Sequence, residues 1–192
     1  MGREFELKYQ ATPEILAAVA ANFTGFREIS METTYFDTPS RALSCRHITL
    51  RRRMEGGISV CTVKTPLDDG SRGEWEMEWA DPHTMIEELC KLGAPENLKI
   101  WTLGGIMPVC GARFTRRATT IWGENWSAEL ALDQGVLLGG GKEMPLCELE
   151  VELKTGEDAD VEAFAAALAE QYGLKPQPRS KFRRAMDLVQ EN

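Results

Sequence analysis

The sequence predicts an α+β protein in which amphipathic helices cover an antiparallel sheet and the sheet closes around a charged cavity. The first observation is alternation of charged and apolar residues, because successive side chains of a strand point to opposite faces. In the opening segment Glu4, Glu6 and Lys8 alternate with Phe5 and Leu7. The second observation is helical spacing of apolar residues between such strands. Helices that cover the apolar face of a sheet leave its charged face to line a cavity.

The alternation recurs along the chain. It is seen at Arg51 and Arg53, at Lys64, at Glu74, Glu76 and Glu78, at Glu129 and Asp133, and at Glu148, Glu150 and Glu152. One such strand is usually half-exposed, with a solvated charged face. Several of them in one sheet would crowd charges of both signs together, which is unfavourable unless a ligand or a metal ion balances them. We therefore expect the charged faces to turn inward.

Start and stop signals predict the helices. The predicted helices cover residues 14–22, 83–92 and 161–172, and a last helix follows Ser180. Thr12 and Pro13 are typical of a helix start, and Gly93 and Gly173 are typical of helix ends. Residues 97–111 have no clear pattern, so a short helix and irregular structure both remain open there.

Composition limits the classes of function. The 192 residues suit one domain over 1–192, and a net charge of -8 argues against nonspecific binding to nucleic acid or to an anionic membrane. The five cysteines are scattered without a CxxC pair, which favours reduced thiols over disulfides or zinc. No apolar run reaches transmembrane length and no signal peptide is evident, so we expect a cytoplasmic protein. A homodimer is left open.

A series of motifs resembles a known family. The opening Glu4-x-Glu6-x-Lys8 is followed, in order, by Tyr35-Phe36-Asp37-Thr38, Leu50-Arg51-Arg52-Arg53, Thr62-Val63-Lys64, Arg72-Gly73-Glu74-Trp75-Glu76, Arg116, Glu129-x-x-x-Asp133-Gln134-Gly135, Cys147-Glu148-Leu149-Glu150-Val151-Glu152 and Ser180-Lys181. The first block is similar to the ExExK signature of the CYTH superfamily, the triphosphate tunnel metalloenzymes. The blocks most resemble those of bacterial inorganic triphosphatases. The resemblance implies an eight-stranded antiparallel β-barrel, a tunnel with helices packed outside and divalent cations within.

The resemblance assigns the inward basic residues to the substrate. The predicted triphosphate ligands are Lys8, Arg51, Arg53, Lys64, Arg116, Lys181 and Arg184. Arginine suits this role because its planar fork holds two phosphate oxygens, whereas lysine acts as a mobile point charge.

The carboxylates need cations between themselves and a phosphate, and oxygen ligands favour Mg²⁺ or Mn²⁺. The predicted metal ligands are Glu4, Glu6, Glu129, Asp133, Glu148 and Glu150, with Glu4 and Glu6 beside Glu148 and Glu150 as the best set. We expect Glu74, Glu76 and Glu152 to orient basic residues instead. The residues assigned to catalysis are Lys8, Glu148, Glu150 and Lys181.

The predicted function is metal-dependent hydrolysis of inorganic triphosphate. Two other activities of the same family, class IV adenylate cyclase and thiamine triphosphatase, need the same tunnel and act on an organic triphosphate. A noncatalytic polyphosphate- or nucleotide-binding barrel is a third alternative. It would be expected to lack some metal ligands, whereas the acidic set of this sequence is complete.

Overall fold

The computed structural model describes residues 2–3, 5–67 and 72–190. The strands are β1 (Gly2–Arg3), β2 (Glu6–Gln10), β3 (Arg27–Asp37), β4 (Thr49–Glu55), β5 (Ile58–Pro66), β6 (Arg72–Glu78), β7 (Met107–Trp122), β8 (Ser127–Gly139), β9 (Lys142–Thr155) and β10 (Lys175–Pro176). The helices are α1 (Pro13–Asn22), α2 (Met85–Lys91), α3 (Asn97–Trp101), α4 (Asp158–Tyr172) and α5 (Lys181–Gln190). Helices and an antiparallel sheet together confirm the α+β class.

The strands form one ten-stranded antiparallel sheet in the order β1-β6-β5-β4-β3-β7-β8-β9-β2-β10. Among the described residues no pairing joins β6 to β9 or β1 to β10, so the prediction of a closed eight-stranded barrel is wrong. Closure would require the amino-terminal segment to pair with both β6 and β9 along the same residues, but its described residues divide their pairing between the two strands. Gly2 and Arg3 pair with β6, whereas residues 6–10 pair with β9, and the short β10 takes the other edge of β2.

Local signals account for the helix boundaries. The side-chain oxygen of Thr12 accepts a hydrogen bond from Ile15 N at 3.3 Å, as expected for an N-cap ahead of a proline. Ser180 Oγ accepts from Arg183 N at 3.2 Å and caps α5 in the same way. Gly173 ends α4 in the left-handed conformation. No helix in the described part of the chain is long and apolar enough to cross a membrane.

Four helices pack on the apolar face of the sheet. Leu16 and Val19 of α1, with Val161 of α4, contact a buried cluster that includes Leu130 and Leu149. A second buried cluster contains apolar side chains of α2 and α3 with those of β4, β5 and β6; its largest members are Leu50, Trp75, Met85, Leu89 and Leu98. Burial of the alternate apolar residues leaves the intervening charged residues on the opposite face.

The last helix packs on the charged face instead. Ala185 and Leu188 of α5 contact Phe114, Leu137 and Leu146. In their strands Phe114 is two residues from Arg116 and Leu146 two residues from Glu148, so these apolar residues share the face of the charged ones. The prediction that all helices pack outside is therefore wrong for α5. The apolar end of this face gives α5 its own hydrophobic contacts.

Strand β8 approaches β7 so closely at Gly135 that the backbone leaves no space for a side chain. A Cβ atom at this position would overlap the carbonyl oxygen of Arg113 and lie 2.5 Å from the Cα atom of Phe114. Because backbone atoms cannot yield cheaply, Gly135→Ala should lower the free energy of unfolding by about 1–3 kcal/mol. Gly104→Ala is the control, since its Cβ would have no neighbour within 4 Å. Urea unfolding of both variants makes the comparison, and equal stability of the two would contradict this packing.

Candidate active site

The charged face of the sheet lines a cavity of about 420 Å³. Strands β2 to β9 all contribute to the lining, together with Ser180 and, from α5, Lys181 and Phe182. The charged residues of the lining are Glu6, Lys8, Arg27, Arg51, Arg53, Glu55, Lys64, Arg72, Glu74, Glu76, Arg116, Glu129, Glu150, Glu152, Lys154 and Lys181. Six of the seven basic residues that the sequence assigned to substrate lie in this lining; Arg184 does not.

Three buried carboxylates meet behind the cavity lining, which one of them, Glu150, joins. Oxygen atoms of Asp133, Glu148 and Glu150 lie within 4.8 Å of one another. Asp133 of β8 pairs in register with Glu148 of β9, and Glu150 is the next residue of β9 on the same face. The side chains of Asp133 and Glu148 are 0% exposed and that of Glu150 is 10% exposed. We call these three residues the carboxylate cluster.

Arg116 and Lys181 compensate the carboxylate cluster. Arg116 donates through Nε and a terminal nitrogen to the two oxygens of Asp133, at 2.8 and 2.7 Å, and also donates to Glu150. Lys181 Nζ lies 2.8 Å from Asp133 Oδ2 and 2.7 Å from Glu150 Oε1, and it contacts Glu148 as well. Two cations thus bridge all three acids.

Arg184 binds the cluster from α5. Its guanidinium donates to Glu148 Oε2, and its side chain is 12% exposed. Arg184 lies one helical turn after Lys181, so both cations of α5 reach the cluster from the same side of the helix. Arg184 therefore belongs to the surroundings of the cluster rather than to the cavity lining.

Burial and these charges act in opposite directions on the pKa values. Burial raises the pKa of Glu148, and the charge of Lys181 offsets this only in part. Burial alone would also raise the pKa of Glu150, but Lys181 and Arg116 hold it well below its usual range. Burial alone would lower the pKa values of Lys181 and Arg116, yet the carboxylates raise both. The cluster therefore holds ionised Glu150 between two permanent cations.

A second group of basic residues lies on β4 and β5. Arg51 lies 3.7 Å from Glu74 and 3.6 Å from Glu76, and Lys64 lies 3.4 Å from Glu74. Arg53 pairs with Glu55 at 2.8 Å. We call Arg51, Arg53 and Lys64 the basic wall. Glu74 and Glu76 lie beside these cations, where the sequence analysis expected acids that orient basic residues.

The remaining predicted residues are placed separately. Lys8 pairs with Glu6 at 2.6 Å, Glu129 lies 3.7 Å from Arg116, and Glu152 pairs with Lys154 at 2.7 Å. Glu6 and Glu129 line the cavity, but neither belongs to the carboxylate cluster. Glu4 lies outside the described residues. The structure therefore groups Asp133, rather than Glu6, with Glu148 and Glu150.

Sequence reasoning assigned no role to several residues of the lining, including Arg27, Tyr35, Glu55, Arg72 and Lys154. Lys154 and Arg72 each continue an alternation already identified, one step beyond Glu152 and before Glu74, so the period of two could have found them. Arg27 and Tyr35 lie on β3, whose central inward residues are not charged, and the alternation of charge gave no signal there.

The carboxylate cluster fits a divalent cation. Its donors are all carboxylate oxygens, which Mg²⁺ and Mn²⁺ prefer. One carboxylate oxygen from each residue lies within 4.8 Å of the other two, which is compatible with three ligands of one small ion. Glu148 Oε1 is buried and faces the Lys181 ammonium group as an ion pair, so a metal ion would take this oxygen only in exchange for that contact.

Removal of the Glu150 charge should destabilise the protein. Glu150→Gln keeps the shape but leaves Lys181 and Arg116 short of a buried anion, so it should cost about 3 kcal/mol of unfolding free energy at pH 7. The ionised form of Glu150 stabilises the fold above the ordinary glutamate pKa of about 4.3, and this contribution is lost as the pH falls towards its lower folded value. The difference between variant and parent should therefore shrink below about pH 4.

The control is Glu55→Gln. Glu55 also pairs with an arginine, but its side chain is 32% exposed, so this change should cost less than about 1 kcal/mol. Urea unfolding in a chelator, from pH 7 to pH 3, measures both variants. A Glu150→Gln protein as stable as the parent at pH 7 would contradict the proposed compensation.

Known proteins resemble the chain in sequence. The family model of the CYTH domain matches residues 2–186. An inorganic triphosphatase of Haemophilus influenzae is 30% identical over 178 residues, which are 88% of this chain and 50% of that protein. The chain therefore spans half the length of this curated relative.

Solved structures share the fold. A candidate adenylyl cyclase of Hippeastrum with a dominant triphosphatase activity superposes with a TM-score of 0.65 at 19% identity, over 97% of this chain and 95% of that one. A protein of Pyrococcus horikoshii OT3 gives a TM-score of 0.63 at 24% identity, over 96% and 98% of the two chains. These identities indicate a common fold alone. Because the family model covers nearly its whole length, the chain belongs to the CYTH domain family.

Proposed function

We propose that this protein is a divalent-cation-dependent hydrolase of inorganic triphosphate. The observation that carries the proposal is one cavity lined by the basic wall and by Glu150, which belongs to the carboxylate cluster. Cations that bind phosphate oxygens, beside acids suited to a metal ion, are the requirements of phosphoryl transfer. The relationship to the Haemophilus influenzae protein supports the same activity.

The basic wall would bind the substrate. Arg51 and Arg53 are neighbours on one face of β4, and their side chains are 16% and 13% exposed. Burial, and then the charge of Arg51, lower the pKa of Arg53, and the charges of Glu55 and Glu76 compensate for this only in part. A bound triphosphate, with about four negative charges, would stabilise the positive charge of Arg53.

Inorganic triphosphate suits the cavity better than a nucleotide. Its aromatic lining residues are Tyr35, Phe114 and Phe182. Tyr35 and Phe182 contact each other in a tilted arrangement with 5.1 Å between ring centroids. The Phe114 ring is covered by Lys181 and Arg116, whose charged groups lie 5.3 and 6.0 Å from its centroid. All three rings are therefore engaged within the protein, and none offers a free platform for a nucleobase.

The carboxylate cluster would hold Mg²⁺ or Mn²⁺ through Asp133, Glu148 and Glu150. The bound cation would supply Lewis acidity that offsets the charge of the phosphate oxygens. Lys8 and Arg116 line the cavity next to this cluster and would hold the phosphate chain in position. Both histidines are exposed and neither belongs to the lining, so cavity carboxylates are the groups suited to accept a proton from water.

The substrate range tests this proposal. Phosphate release should be fastest from inorganic triphosphate. It should be slower from ATP and thiamine triphosphate, because the aromatic rings of the described lining are already engaged within the protein, and slower from pyrophosphate, because it carries fewer negative charges for the basic wall to bind. Activity should require added Mg²⁺ or Mn²⁺ and disappear in excess chelator. Faster turnover of ATP, or cyclic AMP as the main product, would contradict the assignment; so would full activity in chelator.

A pair of arginine variants serves as the internal control. Arg53→Ala should raise KM for triphosphate by roughly tenfold or more, since a charge-assisted contact contributes about 1.5–3 kcal/mol. Arg113→Ala removes an arginine that is 61% exposed and outside the cavity lining, so KM should stay within about twofold of the parent. Equal effects of the two changes would argue against the basic wall as the substrate site.

A further inference from the structure

We propose that Lys181 is an internal counterion that competes with a divalent cation for the carboxylate cluster and so sets the affinity of the protein for that cation. The inference rests on the proposed function, because it concerns the same site. It goes beyond a substrate-binding lysine, since it gives the ammonium group two alternative positions.

The contacts of the ammonium group carry the proposal. Lys181 Nζ contacts all three members of the cluster, at 2.8 Å from Asp133, 2.7 Å from Glu150 and closer still to Glu148. Its side chain is 11% exposed. A magnesium ion bound by the same oxygens would lie about 2.0–2.1 Å from each. An ion and the ammonium nitrogen cannot share that position.

Among the cations that bind the carboxylate cluster, Lys181 is the one best able to leave. Arg116 is central in β7 and holds Asp133 through two parallel hydrogen bonds, a geometry that restricts its movement. Lys181 is the first residue of α5 and carries its charge at the end of a flexible chain of four carbons. Its departure would still leave Arg116 and Arg184 on the cluster.

The displaced ammonium group could move into the cavity. Lys181 already borders the cavity, so a rotation of its side chain would move the charge from the carboxylates towards the space proposed for triphosphate. Exchange of one positive charge for two at the cluster would thus add a cation to the substrate site. Cation binding and triphosphate binding would then support each other.

A purely structural ion pair makes a different prediction. If cations bound elsewhere in the cavity and Lys181 only neutralised the cluster, Lys181→Met would destabilise the protein without strengthening its binding of cations. If Lys181 competes, the same change should increase the affinity for Mg²⁺ by roughly tenfold or more, because a charge at contact distance opposes the ion.

Calorimetric titration of Mg²⁺ alone into each protein tests this. Lys154→Met is the matched control, since it removes another lysine of the cavity lining, one that pairs with Glu152 and is 42% exposed. Its Mg²⁺ affinity should change less than about threefold. Unchanged affinity in Lys181→Met, or an equal gain in both variants, would overturn the competition.

The unmodified protein provides a second readout should Lys181→Met fail to fold. Acetylation by acetic anhydride, followed by mass spectrometry, should label Lys181 several-fold faster with Mg²⁺ than with chelator, whereas Lys154 should keep its rate. Equal labelling of Lys181 in both conditions, with Mg²⁺ binding demonstrated, would overturn the proposal. Failure of the function itself would appear differently, as binding of Mg²⁺ without hydrolysis of triphosphate.

Discussion

Charge compensation of the carboxylate cluster is the constraint on which the rest of this structure depends. Three carboxylates with almost no exposure to solvent would be strongly unfavourable if they stood alone. The protein meets this cost with one arginine of the sheet and two cations of the last helix. These contacts also hold α5 in position, because its residues Lys181 and Arg184 form ion pairs with carboxylates of β8 and β9.

The fold brings these partners together through two kinds of contact. The register of β8 against β9 places Asp133 beside Glu148, and the register of β7 against β8 places Arg116 beside Asp133. Hydrophobic contacts position α5, since Ala185 and Leu188 pack on Leu137 and Leu146. This packing holds the first residues of α5, which carry the charges, over the cluster. One helix therefore closes an apolar core at its end and an ionic site at its beginning.

Local sequence predicts the part of this arrangement that depends on neighbouring residues. Alternation identified which side chains share a face, and the caps at Thr12 and Ser180 located α1 and α5. The alternation of charged and apolar residues could not predict how the amino-terminal segment divides its pairing between β6 and β9, since an alternating strand can pair with several partners. Nor did alternation indicate that α5 would pack on the charged face.

The same limit applies to the preferred ligand set, which grouped Glu148 and Glu150 with Glu4 and Glu6 rather than with Asp133. The sequence shows Glu148 and Glu150 as acids of one strand face, but only the register across β8 selects Asp133 as their neighbour. Asp133 and Glu150 would repel each other, and each is paired with a cation more than 15 residues away in the chain: Arg116 pairs with Asp133, and Lys181 with Glu150. Such long-range pairs are a property of the sheet as a whole.

The most direct measurement is the position of Mn²⁺ by anomalous X-ray diffraction from crystals grown with that ion. If the carboxylate cluster is the cation site, the anomalous peak should lie within bonding distance of Asp133, Glu148 and Glu150, with the Lys181 ammonium group turned towards the cavity. A peak bound elsewhere in the cavity, with Lys181 still on the three carboxylates, would contradict the account.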